Sequence, residues 1–196
     1  MKKISGLAKK VDAVMRFFKG LTIAGGIGCF ILLAMSWSDG FYEDLDFVMN
    51  LDILKIQLSA AYVPGVETLR FYFWGMCIMG ILLCVWMYCL IAMFRKIIKP
   101  MREELPFAGC VAGNIRKLSW IMLIGEGILS VVYFVFQIWE YHAFDYENLF
   151  LSDKIVSVGA EYYFDFTFVW IFLVLYLLSY VFQYGQELQI QSDETL

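Results

Sequence analysis

The sequence predicts an all-α membrane protein with four transmembrane helices, and three observations carry that prediction. Hydrophobic residues make up 61% of the 196 residues and charged residues only 17%, whereas a soluble domain is about 25% charged. Four apolar runs approach or exceed the roughly 20 residues that a helix needs to cross the hydrocarbon core of a bilayer. Backbone groups in lipid must be satisfied inside their own segment, so these runs are predicted to be helices. The composition therefore excludes a soluble globule and a disordered chain.

The chain is interpreted as one membrane domain, 1–196, in which spans alternate with loops. An amphipathic segment precedes the first span, and a tail follows the fourth. In order, the segments are the amphipathic cytoplasmic helix 1–19, first span 21–37, outer loop 38–70, second span 71–94, cytoplasmic loop 95–117, third span 118–139, outer loop 140–165, fourth span 166–184 and cytoplasmic tail 185–196.

The distribution of lysine and arginine predicts the orientation. Twelve of the 15 basic residues lie in 1–19 and 95–117, three lie in the other two loops, and none lies in the tail. Basic residues stay on the cytoplasmic side, so both termini are expected inside the cell. The outer loops hold twelve acids against three bases, a net charge of −9. A cleaved secretory signal remains an alternative for the beginning of the chain, because a basic opening precedes the apolar stretch 21–34.

Residues 1–19 have apolar side chains at helical spacing with lysines between them. The pattern predicts an amphipathic helix that lies on the anionic inner leaflet before the chain turns into the membrane. The segment is either a topology anchor or a docking surface for a cytoplasmic partner. Its apolar positions are Ile4, Leu7, Val11, Val14, Met15 and Phe18.

The two outer loops each contain a candidate β-strand. In the first loop Leu54, Ile56 and Leu58 alternate with polar residues, which is typical of a half-buried strand. In the second loop the candidate is the apolar stretch 155–158. If the two strands pair, the loops form a small acidic, β-containing extracytoplasmic cap, and loops of this length are often functional.

The cytoplasmic loop 95–117 is predicted to contain a helix break and a new helix. Pro100 interrupts the helix that leaves the second span, and Pro106 restarts the chain. Apolar residues then recur at spacings of four, four and three, which predicts a short amphipathic helix that bends into the third span. These residues are Phe107, Val111, Ile115 and Leu118.

Small residues predict where the helices approach one another closely. The first span carries the row Gly20, Ala24 and Gly28, flanked by Gly25 and Gly26. Such a row serves either packing within the chain or self-association into a homo-oligomer, and both alternatives stay open. Glycines also mark the second and third spans, at Gly75, Gly80, Gly125 and Gly127.

Glu126 is the one acid within the four apolar runs. An acid at the centre of a span costs about 2.5–3.5 kcal/mol on insertion scales, so it is a candidate functional residue by default. No lysine or arginine lies in the other spans, so the expected states are a protonated acid or a hydrogen bond to Thr22, Ser130, Tyr88 or water. Its neighbours Gly125 and Gly127 would let another helix or a water molecule reach it. A functional acid and a structural acid that holds the bundle together remain equal alternatives.

Catalysis and metal binding find little support. The only histidine, His142, lies among Glu140, Asp145 and Glu147, which is a weak metal signal and is typical of a solvated acidic loop. No nucleophile, metal or nucleotide-binding motif is present, so no cofactor, metal site or enzymatic activity is predicted. The net charge of −4 argues against direct nucleic-acid binding.

The end of the chain resembles a known family. After the fourth span it reads F-Q-Y-G-Q-E-L-Q and then closes with D-E-T-L, similar to the closing pattern of the bacterial membrane proteins called domain of unknown function 2975. The matching positions are Gly185, Glu187, Leu188, Gln189, Asp193, Thr195 and Leu196. Pro106 and Phe107 match a Pro-Phe pair that opens the segment before the family's third span. The chain departs from the pattern at Ala108, Gly109 and Cys110, where the family often has a serine cap and acids, but Arg116 and Lys117 keep the basic end.

The resemblance implies a bacterial plasma-membrane protein whose gene often lies beside a small helix-turn-helix regulator of the Cro/repressor type. The function predicted first is therefore a regulatory protein that couples an outer or membrane signal to that cytoplasmic regulator. The acidic tail would bind a basic groove, with Leu188 and Leu196 as apolar anchors, although a frayed helix end at Gly185 is an equal alternative. A small transporter or immunity-type protein that uses Glu126 comes second, and a membrane enzyme comes last.

Overall fold

The computed structural model describes residues 2–38, 40–43, 48–51, 54–57, 64–103, 109–146 and 164–194. These residues form five helices and one two-stranded sheet. The elements are α1 (Lys2–Met35), α2 (Gly40–Glu43), β1 (Val48–Leu51), β2 (Leu54–Gln57), α3 (Val66–Arg102), α4 (Cys110–Ala143) and α5 (Thr167–Glu194).

Four of the helices, α1, α3, α4 and α5, are long and apolar enough to cross a membrane, as the sequence predicts. Each contains nearly all of one predicted span, and each also continues beyond it. Much of their apolar surface is uncovered: the side chains of Phe30 and Trp170 are 65% and 70% exposed. In water such contiguous apolar surface marks an interaction site or an aggregation hazard. Along helices of this length it is the surface that lipid covers.

The described residues group into two units, and the first comprises Met1–Gly26, Leu82–Ser130 and Asp165–Leu196. Its core joins three helices: Ile97 of α3 packs with Val111, Ile115 and Leu118 of α4, and Phe182 of α5 packs against this cluster. The apolar spacing predicted for the beginning of α4 is therefore confirmed as its buried face. Ser119 and Ser179 are completely buried, and small side chains of this kind let helices approach closely in a bilayer.

The second unit comprises Ile27–Ile81 and Val131–Phe164. Its core is aromatic and contains Tyr42, Leu69 and Phe144. The completely buried Ser36 follows the end of α1, and its carbonyl accepts a hydrogen bond of 2.8 Å from the Tyr42 hydroxyl. The indole of Trp74 donates to the Ser36 hydroxyl at 3.0 Å. These bonds satisfy polar groups that the end of a helix would otherwise leave buried and unpaired.

The structure corrects three predicted breaks. The chain does not turn between residues 19 and 21, because α1 is a single helix through this point. Pro100 lies inside the last turn of α3, which ends at Arg102, and the beginning of α4 and the third span belong to one helix, Cys110–Ala143. The first and third predictions rested on a change in composition, whereas a formed helix propagates at little cost through such a change. The second rested on the proline itself, and α3 ends two residues beyond it.

The amino-terminal segment packs within the chain by a face other than its apolar one. The predicted apolar residues Leu7, Val14 and Phe18 are exposed, and Ala8 and Asp12 are buried instead. Apolar periodicity identifies the face that avoids water, and lipid satisfies that preference as well as protein does. The packing face is set by an ion pair, described below.

The strand predicted in the first outer loop overlaps β2. β1 and β2 pair antiparallel, with Val48 opposite Gln57 and Leu51 opposite Leu54. The second candidate strand, 155–158, lies outside the described residues. The cap formed from both loops therefore stays a prediction.

Candidate functional site

Glu126 lies midway along α4 and is partly exposed. Across the described ranges it has no hydrogen-bond or ion-pair partner. One expected partner bonds elsewhere, since the Thr22 hydroxyl donates to the carbonyl of Phe18 at 2.8 Å. Tyr88 makes a different contact, in which its ring lies 4.5 Å from the Lys19 ammonium. The structure therefore does not bring together the hydrogen-bonded cluster that the sequence suggested around Glu126.

The two glycines beside Glu126 have different surroundings. A Cβ at Gly125 would overlap the indole ring of Trp86, whereas a Cβ at Gly127 would make an ordinary contact of 3.7 Å with Phe168. The Trp86 indole N–H also donates to the carbonyl of Ile121 at 3.3 Å. Gly125 therefore lets α3 approach α4 closely enough for an indole to reach a backbone carbonyl, as the sequence suggested for a neighbouring helix.

The small residues of α1 divide into two sets. Gly25 and Gly26 lie against Cys84 of α3. A Cβ at Gly25 would be 3.4 Å from the Cys84 sulfur, and a Cβ at Gly26 would be 3.6 Å from the Cys84 Cβ. Nothing in the described part of the chain lies within 4 Å of the corresponding position at Gly20 or Gly28. Within the chain, α1 therefore packs on α3 through Gly25 and Gly26 rather than through the predicted row Gly20, Ala24 and Gly28.

The predicted tail is helical as far as it is described. α5 continues without a break from the fourth span to Glu194, so the alternative of a frayed end from Gly185 is wrong over 185–194. We call residues 185–194 the α5 extension. It packs on the residue before α4, because a Cβ at Gly109 would lie 2.9 Å from the side-chain nitrogen of Gln186.

Arg116 of α4 connects to the α5 extension through one intermediate side chain. Its guanidinium lies 4.9 Å from the Tyr180 ring centroid and donates to the Gln183 amide oxygen at 3.2 Å. The Gln183 amide nitrogen donates in turn to the Glu187 carboxylate at 3.4 Å. Arg116 and Glu187, both singled out by the family resemblance, therefore belong to one chain of polar contacts.

The remaining matched positions are divided between the extension and residues that are not described. Gly185, Leu188 and Gln189 lie on the α5 extension, where Leu188 is 47% exposed. The backbone of Asp193 lies in its last turn. Pro106, Phe107, Thr195 and Leu196 fall outside the described residues.

The sequence analysis missed the most strongly charged contact in the structure. Asp12 of α1 is only 4% exposed, and its two carboxylate oxygens accept hydrogen bonds from Arg95 at 2.9 Å and Arg102 at 2.8 Å. Arg16, one turn further along α1, lies 3.6 Å away. We call these four residues the Asp12 cluster. The available signal was that Asp12 is the only acid in a segment with six basic residues.

The arginines hold the Asp12 carboxyl in its charged form. Asp12 lies outside the apolar run 21–37, and the hydrogen bond from Arg95 is the largest cause that lowers its pKa below the ordinary value of 3.8. Burial opposes this shift, and the charges of Arg95, Arg102 and Arg16 add to it. The cluster therefore joins α1 to α3 by a charged contact that stays intact at neutral pH.

Of the acids around His142, Glu140 and Asp145 are among the described residues and Glu147 is not. The hydroxyl of Tyr146 donates to Glu140 at 3.0 Å, and the His142 ring packs edge-on against Tyr141 with centroids 5.6 Å apart. Within the described ranges no group of three or more histidine, cysteine or acidic residues is placed to hold a metal ion.

Comparison of the chain with models of known protein families, with curated proteins and with solved structures gave no match. The resemblance to domain of unknown function 2975 thus stays a prediction.

Substitution of Gly125 by Ala is expected to destabilise the protein, because the new methyl group displaces the Trp86 indole. Overpacking of this kind costs about 1–3 kcal/mol, partly offset by up to about 1 kcal/mol of helix propensity. Gly127→Ala is the matched control and should be neutral or slightly stabilising. Thermal unfolding of the two variants in detergent tests this, and equal unfolding midpoints would contradict the Trp86 contact.

Substitution of Asp12 by Asn should lower the free energy of unfolding by about 1–3 kcal/mol at neutral pH, since it removes hydrogen bonds between charged groups. Arg16→Gln should cost less than about 0.5 kcal/mol, because that pair is long and exposed.

The same carboxylate makes stability depend on pH with a defined sign. Because the pKa of Asp12 is lowered on folding, its contribution is complete above the unfolded value and is lost as the pH falls through the lower folded value. Unfolding midpoints measured from about pH 7 to about pH 2 should converge for wild type and Asp12→Asn. A difference that persists undiminished at the acid end would refute the charged contact.

Proposed function

We propose that the protein is a multi-pass regulatory protein of a bacterial plasma membrane, with both termini in the cytoplasm, and that its α5 extension binds a small helix-turn-helix regulator. One observation supports this most directly: α5 continues as a helix beyond the apolar run 166–184 and carries uncovered apolar side chains there. Leu188 and Ile190 are 47% and 49% exposed. Past the end of a span, lipid no longer covers such side chains, and a protein partner would.

The charge of this region suggests the chemistry of the partner. Glu187, Asp193 and Glu194 give the end of the chain a net charge of −3, and no lysine or arginine follows Lys154. A helix that combines acidic and apolar residues complements a groove with basic edges and an apolar floor. DNA-binding proteins of the helix-turn-helix class carry basic surfaces of this kind.

The contacts of Arg116 offer a route by which a signal would reach the extension. Gln183 links the guanidinium of Arg116 on α4 to Glu187 on the α5 extension, and Gln186 packs on Gly109. A ligand that favours one packing of α4 against α5 would therefore change how the extension is presented to the partner. The signal itself would enter from the acidic outer loops or from the membrane.

The test uses the full-length protein, isolated in detergent from its own host, with the bound proteins identified by mass spectrometry. Wild type should retain a small protein with a helix-turn-helix fold, and Leu188→Ser should reduce its yield at least about tenfold, as expected for an apolar anchor. Leu7→Ser is the matched control, because Leu7 is also an exposed leucine of the first unit. Removal of residues 185–196 should abolish retention.

The opposite results would overturn the proposal. If the truncated protein retains the regulator, the extension does not bind it. If Leu188→Ser and Leu7→Ser reduce the yield equally, the loss reflects general damage rather than a lost anchor.

A second function, proton or ligand transport, is favoured by one observation. Glu126 is a partly exposed acid inside an otherwise uncharged apolar run, and within the described part of the chain it has no ion-pair partner. Acids in such positions mark proton or substrate pathways in many membrane proteins.

Reconstituted liposomes with an imposed pH gradient test this alternative. Proton flux with wild type, absent in Glu126→Gln and retained in the matched control Glu67→Gln at the exposed beginning of α3, would establish it. Equal flux in wild type and Glu126→Gln would leave Glu126 a structural acid.

A further inference from the structure

The Asp12 cluster lies where two apolar runs end. Arg95 is the first charged residue after the uncharged run 71–94, and Arg16 precedes the run 21–37 by one turn of helix. Since Asp12 bonds both Arg95 and Arg102, these two ends lie side by side in the first unit. Residues at the end of a transmembrane run are level with the lipid headgroups.

Charge within the cluster does not balance. Arg95 and Arg16 alone outnumber the single carboxylate of Asp12, which leaves a surplus of +1 before Arg102 is counted. Asp12 itself is covered, with 5% of its side chain exposed, whereas the side chains of Arg95, Arg102 and Arg16 are 32%, 38% and 62% exposed. The accessible part of the cluster is therefore entirely cationic.

The geometry keeps the arginines together. Arg95 and Arg102 are seven residues apart, two turns along the same side of α3, and each bonds a different oxygen of Asp12. The carboxylate thus holds three like charges close together before any ligand arrives. Guanidinium groups present several N–H donors in a planar fork that matches the oxygens of a phosphate group.

We propose that the Asp12 cluster binds a phosphate group, and that the phosphate belongs to the headgroup of an anionic lipid. The headgroup would supply negative charge, and its acyl chains would lie along the exposed apolar surface of α1 beyond Arg16, where Ile23, two turns further along the same side of the helix, is 47% exposed. The exposed Lys9, Lys96 and Lys99 would add attraction without specific contacts. This proposal does not depend on the regulator proposed above.

The experiment compares lipids on the delipidated full-length protein in neutral detergent, with retained lipid counted by native mass spectrometry. Phosphatidylglycerol should be retained more strongly than the zwitterionic phosphatidylethanolamine. Arg16→Gln should weaken phosphatidylglycerol binding about fivefold, the effect of one basic residue near an anionic headgroup. It removes only the longest and most exposed contact of the cluster, so the fold is expected to survive.

Two further variants separate a specific site from general charge. Lys10→Gln removes the same charge from the opposite side of α1 and should leave binding unchanged within about twofold. Asp12→Asn removes the carboxylate that holds the arginines together, so variant protein that remains folded should bind phosphatidylglycerol more weakly than wild type, whereas attraction by general charge alone would make binding stronger. Thermal unfolding of every variant, measured alongside, identifies any that fail to fold.

Inorganic phosphate, added in competition, distinguishes the two sources of the anion. Displacement of the lipid only at a large excess supports a headgroup site, whereas phosphate that binds tightly on its own, with the same dependence on Arg16, would overturn the lipid assignment. Equal losses in Arg16→Gln and Lys10→Gln, or equal retention of the two lipids, would overturn the proposal itself.

Discussion

Every structural feature of this chain depends on one constraint, namely that backbone polar groups inside a bilayer must find their partners within the same segment. The constraint makes each apolar run a helix and also explains why the helices are longer than the runs. Once α5 has formed across 166–184, continuing it to Glu194 requires no new nucleation. Long helices are therefore the default, and polar contacts decide how they meet.

Those polar contacts occur where apolar packing supplies little specificity. Lipid tails are as apolar as leucine, so burial of aliphatic side chains does not favour one helix face over another. In α1 the face is set by Asp12 and its arginines, and between α3 and α4 the Trp86 indole reaches a carbonyl beside Gly125. Between α4 and α5, Arg116 and Gln183 have the same role. In each of these three helix pairs, directional interactions fix an orientation that hydrophobicity alone leaves undetermined.

This explains which parts of the fold could be predicted from the sequence. The four helices depend on composition averaged over long windows, and the buried face of α4 depends on the spacing of Val111, Ile115 and Leu118, so both were predictable. The packing face of α1 was not, because its burial of Asp12 depends on two arginines more than 80 residues away in the chain. For the candidate site, the importance of Gly125 was visible in the sequence, but its partner Trp86 was not. Nothing in the sequence around Trp86 shows that its indole lies against Gly125.

The two proposed sites follow from the unequal distribution of charge among the helix segments that continue beyond the apolar runs. Basic residues collect on α1 and α3, where an anionic headgroup would complete the charge, whereas the end of α5 carries acids and no base. An acidic helix is repelled by an anionic membrane surface, so the α5 extension would project away from the lipid. Its Leu188 and Ile190 then remain exposed to water unless a protein covers them. The charge that keeps the extension off the membrane is also the charge that would select a basic partner.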